Sequence, residues 1–549
     1  MKKFKFTKKV LLICVAFVCV TALAAGLLWY PGYREEAQRR ENYAQAIATL
    51  EQTPLALDGS NEMSEALLVA LANAEYTQPK NVIIMIGDGM GFNIIEATQR
   101  VYQDQLYQGM MTMNHISFQS AQCTYSVSSD VTDSAAGGTA LSTGYKTMNR
   151  VLAMNYSMEE EFKTILEMAA ENGKSTGLIA TKSVTDATPA SFISHVSERT
   201  LQEEIAAEQM NALASGELDV LLGGGYGYFE AEINQELMTQ SVAAGMNYTT
   251  SWDEASAMTM PLCGVFAEDK MDTTDSAMPK LAQMTDLALR LLDQDENGFF
   301  LMVEGSQIDT FGHDNDYERM VQECYDFDCA VAVVLRYVAM NPDTVLVITA
   351  DHETGDLWIP AERTDDNTFE HDYTTTGHSG KKVPVFAVGY GIETLAGIHE
   401  NTDIGMFLAS CLGVEGIGQT STHLKQENPV QTVAFGPECE AYSLSDGKLP
   451  ALVNEDDLVT VVHVEVTNPG DKVLPVPELA LYTGKKYIYM ETQVDFIRPG
   501  ESLVLSYTLP FDYRDAAKFS TAEFSLLLRE GKSSLEVGSA YLTTRPFGR

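Results

Sequence analysis

Short, unbroken apolar runs alternate with longer amphipathic stretches through the middle of the chain. Five runs have the length and composition of buried strands. They are "NVIIMIGDGMG" (81–91), "STGLIATKS" (175–183), "FFLMVEGSQID" (299–309), "DTVLVITADHE" (343–353) and "VPVFAVGYG" (383–391). Helical periodicity separates them, for example in "EFKTILEMAAENG" (161–173) and in "YERMVQECYDFDCAVAVVLRYVAM" (317–340). Alternation of strand and helix signals predicts an α/β domain with a largely parallel sheet.

The pattern differs on both sides of this region. Residues 31 to about 78 are polar and rich in Glu, Gln and Ala, with leucines at helical spacing, which indicates a helical stalk or prelude. After about Thr420, apolar and polar residues alternate between Pro-Gly and Gly-Lys turns, which is typical of a small β-sandwich. We therefore predict four parts: an N-terminal segment (1–30), a helical prelude (31–79), an α/β catalytic domain (80–420) and a β-rich C-terminal domain (421–549).

The N-terminus has the pattern of a membrane-targeting segment. Five lysines within the first nine residues precede an uncharged apolar run of 21 residues, Val10 to Tyr30. A helix of that length can span a hydrocarbon core of about 30 Å, and the basic flank predicts that the N-terminus stays inside. Ala22-Leu23-Ala24 could be a signal-peptidase site, but the apolar run continues past it, so an uncleaved anchor is favoured. Both interpretations predict that the rest of the protein is extracytoplasmic, either membrane-anchored or secreted.

Composition and charge exclude some functions. A formal net charge of −41 over 549 residues argues against nucleic-acid binding, which needs Lys and Arg against phosphates. It also implies that an anionic substrate must be attracted by something local, such as bound metal ions. The eight cysteines are scattered without C-x-x-C spacing, so their disulfide pairing cannot be deduced and they are not expected to bind metal.

Acidic residues and histidines gather at the ends of the predicted strands. They are Asp88, Glu304, Asp309, His313, Asp351, His352 and His378. Because the carboxyl ends of strands in an open α/β sheet meet at one crevice, side chains that are distant in sequence converge there. Zn²⁺ accepts a mixture of carboxylate and imidazole, whereas an oxygen-only set suits Mg²⁺. A single Asp at a strand end is more often a helix cap, and a lone His such as His115 or His399 is more often structural. It is the occurrence of several acids and histidines together at the strand ends that favours a metalloenzyme.

Ser134 is the candidate nucleophile. It lies in "DVTDSAAGGTALSTGYKT" (130–147), in which no glycine stands two positions before the serine, so this is not the G-x-S-x-G elbow. The neighbouring sequence contains no histidine that could act as its base. Activation of Ser134 therefore has to come from another part of the chain or from a metal.

Six segments in order resemble the alkaline phosphatase family. "VTDSAAGGTALSTG" (131–144) is similar to the active-site serine signature of that family. The other five resemble its metal-site segments: "NVIIMIGDGMG" (81–91), "TDATPASFISHVSER" (185–199), "VEGSQIDTFGHDND" (303–316), "TADHETG" (349–355) and "TTGHSGKKVPVFAVG" (375–389). The resemblance covers roughly residues 81–412 and excludes the N-terminal prelude and the C-terminus. It implies a three-layer, doubly wound, mostly parallel α/β fold.

The resemblance also implies a set of ligands and cofactors, namely two Zn²⁺ and one Mg²⁺. The matched positions are Asp309, His313 and His378 for the first zinc, Asp88, Asp351 and His352 for the second, and Asp88 with Asp186, Thr188 and Glu304 for magnesium. Arg199 matches the arginine that grips the phosphate. The second zinc would activate Ser134 for attack on phosphorus, giving a phosphoserine that is then hydrolysed. A homodimer is the family's usual assembly.

Two positions in the matched segments stand apart. His195 does not match a ligand of the family and is interpreted as structural. Thr310 departs from the family, whose members usually carry Lys or His there, close to the third metal and the phosphate. A threonine brings no charge, which predicts weaker phosphate binding unless a nearby lysine, such as Lys182, supplies the charge from another loop.

The sequence analysis leaves three functions open. The first is an exported phosphomonoesterase that hydrolyses phosphate monoesters to alcohol and inorganic phosphate. The second is a phosphodiesterase, sulfatase or phosphate mutase of the same superfamily; however, Ser134 lacks the x-Pro-x-Arg sequence of a sulfatase, and diesterases commonly use Thr and lack the third metal set. The third is a surface binding or adhesion protein with an inactive phosphatase domain, against which the complete ligand set argues.

Overall fold

The computed structural model describes residues 36–55, 57–360 and 370–414, together with the backbone of ten strands between residues 431 and 541. Among these residues no helix is both long and apolar enough to cross a membrane. The predicted anchor (1–30) lies outside the described residues, and both the anchor and the sandwich packing of the C-terminal region stay predictions.

A ten-stranded sheet forms the centre of the α/β domain. Its strands are β1 (Asn81–Gly87), β2 (Phe118–Cys123), β3 (Ser175–Ser183), β4 (Val220–Gly224), β5 (Asn247–Thr249), β6 (Leu262–Val265), β7 (Phe299–Gly305), β8 (Thr344–Thr349), β13 (Val383–Val388) and β14 (Ile398–Glu400). Two short hairpin-like pairs, β9 (Glu353–Thr354) with β12 (His378–Ser379) and β10 (Leu357–Trp358) with β11 (Asp372–Tyr373), lie between β8 and β13. The strand order is β14-β2-β13-β8-β1-β7-β3-β4-β6-β5. This is the predicted α/β sheet.

One strand of the large sheet runs against the others. β13 pairs antiparallel with both β8 and β2, whereas the remaining pairs are parallel. This reversal brings the beginning of β13 to the edge where the parallel strands end. His378, which precedes β13, therefore reaches the same crevice as the residues that follow β1, β7 and β8.

Helices cover both faces of the sheet. Residues 36–52 are helical (α1), followed by α2 (Glu65–Asn73), α3 (Phe92–Tyr102), α4 (Ser134–Thr143), α5 (Ile165–Glu171), α6 (Ala187–Ala190), α7 (Gln202–Ser215), α8 (Tyr226–Phe229), α9 (Gln235–Ala244), α10 (Trp252–Ala255), α11 (Leu281–Leu292), α12 (Gln307–His313), α13 (Tyr317–Met340) and α14 (Asn401–Cys411). Helices α2, α3, α11 and α13 pack on one face, and α4, α5, α7 and α14 pack on the other. The result is three layers.

Both faces of the central strand β1 are buried, which explains the unbroken apolar run in its sequence. Ile83 and Met85 point into one helical layer, and Val82, Ile84 and Ile86 point into the other. All five side chains are fully buried, and each contributes on the order of 2 kcal/mol through removal of apolar surface from water. A strand that is covered on both faces cannot alternate with polar residues, so the unbroken run is the expected signal.

The helical segment before the sheet belongs to the packed domain. Ala46 and Leu50 of α1 are buried in the same apolar cluster as α13. Tyr43 donates a hydrogen bond to the carbonyl of Ala339 at 2.7 Å, and Arg336 donates to the carbonyl of Leu50 at the end of α1. Residues 36–52, which were predicted as a stalk or prelude, therefore lie against the catalytic domain.

The C-terminal strands form separate small sheets. They are β15 (Gln431–Ala434), β16 (Ser443–Leu444), β17 (Val461–Thr467), β18 (Leu474–Pro475), β19 (Glu478–Tyr482), β20 (Tyr487–Met490), β21 (Phe496–Ile497), β22 (Ser502–Thr508), β23 (Glu523–Glu530) and β24 (Ser533–Tyr541). Their pairing gives the four-stranded orders β16-β15-β17-β22 and β20-β19-β23-β24 and the pair β18-β21.

Candidate metal centre and active site

Ser134 is the first residue of α4, at the edge where the parallel strands end. Asp133 caps the helix by accepting a hydrogen bond from the backbone N–H of Ala136 at 3.1 Å, as N-cap aspartates do. Ser134 is only 2% exposed. The helix N-terminus, with its free N–H groups, faces the same crevice as the serine hydroxyl.

The small residues after Ser134 serve close packing. A Cβ on Gly137 would lie 2.8 Å from the carbonyl oxygen of Asp351, and one on Gly138 would lie 2.4 Å from Oγ of Ser191. Separations below 3.0 Å are not tolerated without a shift of the neighbour. At these two positions the small residues therefore let α4 pack against the segment after β8 and against the end of α6.

His352 lies beside the candidate nucleophile. Its Nε2 lies 3.1 Å from Oγ of Ser134, although the two residues are 218 positions apart in sequence. Its Nδ1 lies 3.2 Å from Oγ1 of Thr354, whose hydroxyl donates to Asp309 at 2.5 Å. Because that hydroxyl proton is used on Asp309, the hydroxyl oxygen accepts from Nδ1–H of His352. Nε2 of His352 therefore carries a free lone pair.

Two further histidines have the same orientation. Nδ1 of His313 lies 2.6 Å from the carbonyl oxygen of Thr376, and Nδ1 of His378 lies 2.8 Å from that of Thr132. A carbonyl only accepts, so in both rings Nδ1 carries the proton and Nε2 is free to bind a metal. The two Nε2 atoms are 3.1 Å apart, and they lie 3.3 Å and 3.5 Å from Oδ1 of Asp309. Three lone-pair donors converge on one point, which is the geometry expected of the first zinc set.

The second predicted set lies on the other side of His352. Its Nε2 is 3.2 Å from Oδ2 of Asp351 and 3.4 Å from Oδ1 of Asp88. The ligand atoms of these three residues lie within 4.8 Å of one another, and so do those of Asp309, His352 and His378. His352 thus stands between the two sets, next to Ser134.

The buried carboxylates of this second set are suited to binding a cation. Burial, with the charges of Asp309 and Asp351 next in size, raises the pKa of Asp88 well above its usual range, and burial raises the pKa of Asp351 to about 6. Burial also holds the pKa of His352 well below its usual range, so the ring is neutral. Among the described residues, Oδ1 of Asp88 and Oδ2 of Asp351 are buried without a hydrogen-bond partner, which is rare for native carboxylates. Two carboxylate oxygens beside the neutral imidazole of His352 fit the donor set of a divalent metal.

Arg199 approaches the crevice from the loop after α6. It donates from one nitrogen to Asp133 and from the other to Asp186, both at 3.1 Å. Asp133 thus both caps the Ser134 helix and holds the guanidinium beside it. A planar fork fixed in this way is suited to binding two oxygens of a phosphate.

The third predicted set consists of oxygen ligands. Thr188 is buried, and its Oγ1 lacks a hydrogen-bond partner in the described part of the chain. Burial raises the pKa of Glu304 to about 8, with a hydrogen bond from Ser306 opposing the shift. Burial also favours the neutral form of Asp186, but Lys182 and Arg199 outweigh it and lower the pKa of that carboxyl. The residues fit Mg²⁺ in chemistry, while Asp186 already has two cationic partners.

Lys182 is the nearby lysine that the sequence analysis suggested. Its Nζ lies 2.6 Å from Oδ2 of Asp186, and it interacts electrostatically with Asp88 and Asp309. Thr310, the neighbour of Asp309, has a buried Oγ1 with no hydrogen-bond partner among the described residues. Positive charge thus reaches this end of the crevice from β3, while the effect of Thr310 on phosphate binding stays a prediction.

A family model for alkaline phosphatase matches residues 79–369, which contain eight of the ten strands of the sheet and all the predicted site residues except His378. The chain belongs to the alkaline phosphatase family. The resemblance inferred from the six sequence segments is confirmed. The protein is an enzyme, and the general activity of its family is hydrolysis of phosphate monoesters.

Similar alkaline phosphatases match about two thirds of this chain and nearly all of their own length. Alkaline phosphatase 3 of Bacillus subtilis (strain 168) is 32% identical over 438 residues, which is 65% of this chain and 94% of that protein. Alkaline phosphatase of Escherichia coli (strain K12) is 28% identical over 65% of this chain and 91% of its own length. The structure of alkaline phosphatase from the Antarctic bacterium TAB5 is 32% identical, with a TM-score of 0.55, over 62% of this chain and 100% of that one.

His195, which matches no metal ligand of the alkaline phosphatase family, lies away from the predicted ligands. Its Nδ1 is 3.1 Å from the carbonyl oxygen of Ala153, and its Nε2 is 2.9 Å from Oε1 of Glu167. Both partners accept, so both ring nitrogens donate and the ring is an imidazolium. Burial opposes this charge, but the bond to Glu167 outweighs it and raises the pKa of His195 to about 9.

The imidazolium predicts a pH-dependent contribution to stability. Since the folded pKa of His195 lies above the ordinary value of about 6.5, its contribution is complete below about pH 6.5 and is lost as the pH rises through about 9. We expect His195→Gln to destabilise the fold by about 2 kcal/mol at pH 7, the value of a hydrogen bond to a charged group. Thermal denaturation should show a smaller difference at pH 10. An equal difference at both pH values would show that the charge is not involved.

Proposed function

We propose that the protein is an exported, metal-dependent phosphomonoesterase that acts through a phosphoserine at Ser134. The observation that carries the proposal is the position of Nε2 of His352. This atom lies 3.1 Å from Oγ of Ser134 and belongs to both groups of potential metal ligands. The nucleophile therefore lies at hydrogen-bond distance from a ligand atom that both groups share.

The ligand sets support two Zn²⁺ and one Mg²⁺. Imidazole with carboxylate, in the sets around Asp309 and Asp351, is the donor mixture of zinc, and the oxygen donors of Thr188 and Glu304 are those of magnesium. A variant of the TAB5 enzyme has been solved with Mg bound in a site called M3. Two bound zinc ions would supply Lewis-acid charge, which favours loss of the nucleophile's proton and offsets negative charge on the phosphate.

The residues of the chain have distinct roles in the proposed reaction. Arg199 binds two oxygens of the phosphate and orients phosphorus in front of Ser134. The bond from Oγ to phosphorus forms as the bond from phosphorus to the leaving oxygen breaks, so that an alcohol departs. Water then breaks the bond between Oγ and phosphorus, which releases inorganic phosphate and restores the hydroxyl. The N–H groups at the start of α4 stabilise charge on the phosphate oxygens throughout.

A metal-independent serine hydrolase is the alternative that His352 raises. The sequence near Ser134 contains no histidine, but the loop after β8 brings His352 to it from a distant part of the chain. However, among the described residues Nδ1 of His352 contacts the hydroxyl of Thr354 and no carboxylate, whereas the histidine of a Ser-His-Asp triad has an acid there. Nε2 also faces two carboxylates, Asp88 and Asp351, which a metal satisfies and a proton shuttle does not.

Substrate preference tests the proposal. Purified protein with zinc and magnesium should hydrolyse an aryl phosphomonoester at least tenfold faster than the matching aryl phosphodiester or aryl sulfate. Arg199 accounts for the preference because its fork binds two non-bridging oxygens of a doubly charged group. Faster hydrolysis of the diester or the sulfate would assign the protein to another reaction of the superfamily, and no hydrolysis at all would favour the binding-protein alternative.

The export part of the proposal rests on the lysine flank and on the apolar run from Val10 to Tyr30. We expect protease added to intact cells to cut the catalytic domain, because a positive N-terminal flank directs the chain after the apolar run outward. A cytoplasmic enzyme of the same cells serves as the control and should be cut only after lysis. Protection of the catalytic domain until lysis would place it in the cytoplasm.

A further inference from the structure

One lysine lies within the third predicted metal set. Nζ of Lys182 is 2.6 Å from Oδ2 of Asp186, while Arg199 binds the other oxygen of the same carboxylate at 3.1 Å. Both side chains of the Lys182–Asp186 pair are largely buried, at 24% and 16% exposure. Both oxygens of Asp186, a predicted ligand of the third metal, therefore already have a cationic partner.

The remaining ligands of this set are open to a metal. Oγ1 of Thr188 is buried without a hydrogen-bond partner in the described ranges, and Glu304 is 1% exposed. Its hydrogen bond from Ser306 uses Oε2. A divalent ion bound to Thr188 and Glu304 can also bind Asp186 only by coming close to the ammonium group of Lys182. Two cations that share one carboxylate repel each other strongly where solvent exposure is low.

We propose that Lys182 is the resident cation of the Asp186–Thr188–Glu304 site and competes there with the divalent ion for Asp186. The third metal is consequently bound weakly and exchanges with the solvent, whereas the two imidazole-containing sets keep theirs. Lys182 balances the charge of Asp186 when the divalent ion is absent. This inference rests on the proposed function only in taking the two zinc sets as filled.

Calorimetric titration of Mg²⁺ into the zinc-loaded full chain tests the competition directly. We expect the neutral variant Lys182→Met to bind Mg²⁺ at least tenfold more tightly than the wild type, because the competing charge is gone. Lys182→Arg keeps a cation and should stay within about threefold of the wild type. Thr188→Val in the Lys182→Met background should weaken the binding again, which assigns the measured heat to this site.

Two controls keep the result interpretable. Lys163→Met removes an exposed ion pair with Glu171 and should leave Mg²⁺ affinity unchanged. If Lys182→Met does not fold, Lys182→Gln offers a second neutral side chain that still donates to Asp186. Unchanged or weaker Mg²⁺ binding in the folded neutral variant would overturn the proposal, as would an equal gain in Lys182→Arg.

The outcome is separable from that of the proposed function. Hydrolysis of an aryl phosphomonoester by the wild type, with no tightening of Mg²⁺ binding in the neutral variant, would reject the role of Lys182 alone. Tighter Mg²⁺ binding in the neutral variant of a protein that hydrolyses no phosphoester would reject the proposed function and leave the competition established.

Discussion

Replacement of the serine at the start of α4, Ser134→Ala, should lower hydrolysis of an aryl phosphomonoester by roughly three orders of magnitude or more, as removal of a nucleophile does in hydrolases. The physical reason is that the proposed reaction passes through a covalent bond to Oγ, and alanine offers no atom for it. Zinc content should stay near that of the wild type, because the predicted ligands lie outside α4, in the segments after β1, β7 and β8 and before β13.

The matched control for this variant is Ser142→Ala. Ser142 lies on the same buried helix and donates a hydrogen bond to the carbonyl of Ser191 at 2.6 Å. Its loss perturbs the packing of α4 without removing the nucleophile, so activity should stay within about tenfold of the wild type, the effect of about 1.4 kcal/mol. Equal losses in the two variants would mean that the helix, and not the Ser134 hydroxyl, is what activity requires.

Removal of metal should have the second large effect. Treatment with a chelator should abolish the activity, because the buried carboxylates of Asp88 and Asp351 and the convergent Nε2 atoms of the three histidines lose the cation that they hold together. Zinc together with magnesium should restore activity better than either ion alone, since two sets contain imidazole and the third only oxygen. Full activity with magnesium alone, or activity that survives the chelator, would contradict the two-zinc account and favour a metal-independent Ser134–His352 pair.

A pair of histidine variants separates the metal site from general damage. His378→Ala should reduce the bound zinc measured by elemental analysis and lower activity at least a hundredfold, the usual scale for loss of metal-site function. His399→Ala removes a histidine of similar type that bonds the carbonyl of Ala396 and should change neither quantity. Unchanged zinc content in His378→Ala would remove that residue from the ligand set.

The sequence predicted several central strands that helices cover on both faces, and the long helix α13. The runs ending in "GDGMG" and "VEGSQID" form β1 and β7, and 175–183 and 317–340 form β3 and α13 with the same bounds. Strands covered by helices on both faces must be apolar at every position, so their signal is strong. The strands β2, β4, β5, β6 and β14 were not predicted, because they are short or, in β2, carry polar residues on a partly exposed surface.

Other features depend on tertiary contacts that a linear pattern does not contain. The antiparallel direction of β13 cannot be read from an apolar run, yet it is the reason that His378 reaches the crevice. The same holds for the contact between Ser134 and His352, and for Thr354, which fixes the tautomer of His352. The role of Lys182 had only a weak signal, a cationic residue at the end of a buried strand.

The phosphoenzyme tests the central claim most directly. Wild-type protein, incubated with an aryl phosphomonoester and quenched in acid, should yield one phosphorylated peptide by mass spectrometry, with the phosphate on Ser134. The same treatment of Ser134→Ala should yield none, because alanine offers no hydroxyl oxygen to phosphorus at the start of α4. Rapid hydrolysis with no phosphate on Ser134, or a phosphorylated peptide from the alanine variant, would contradict the account.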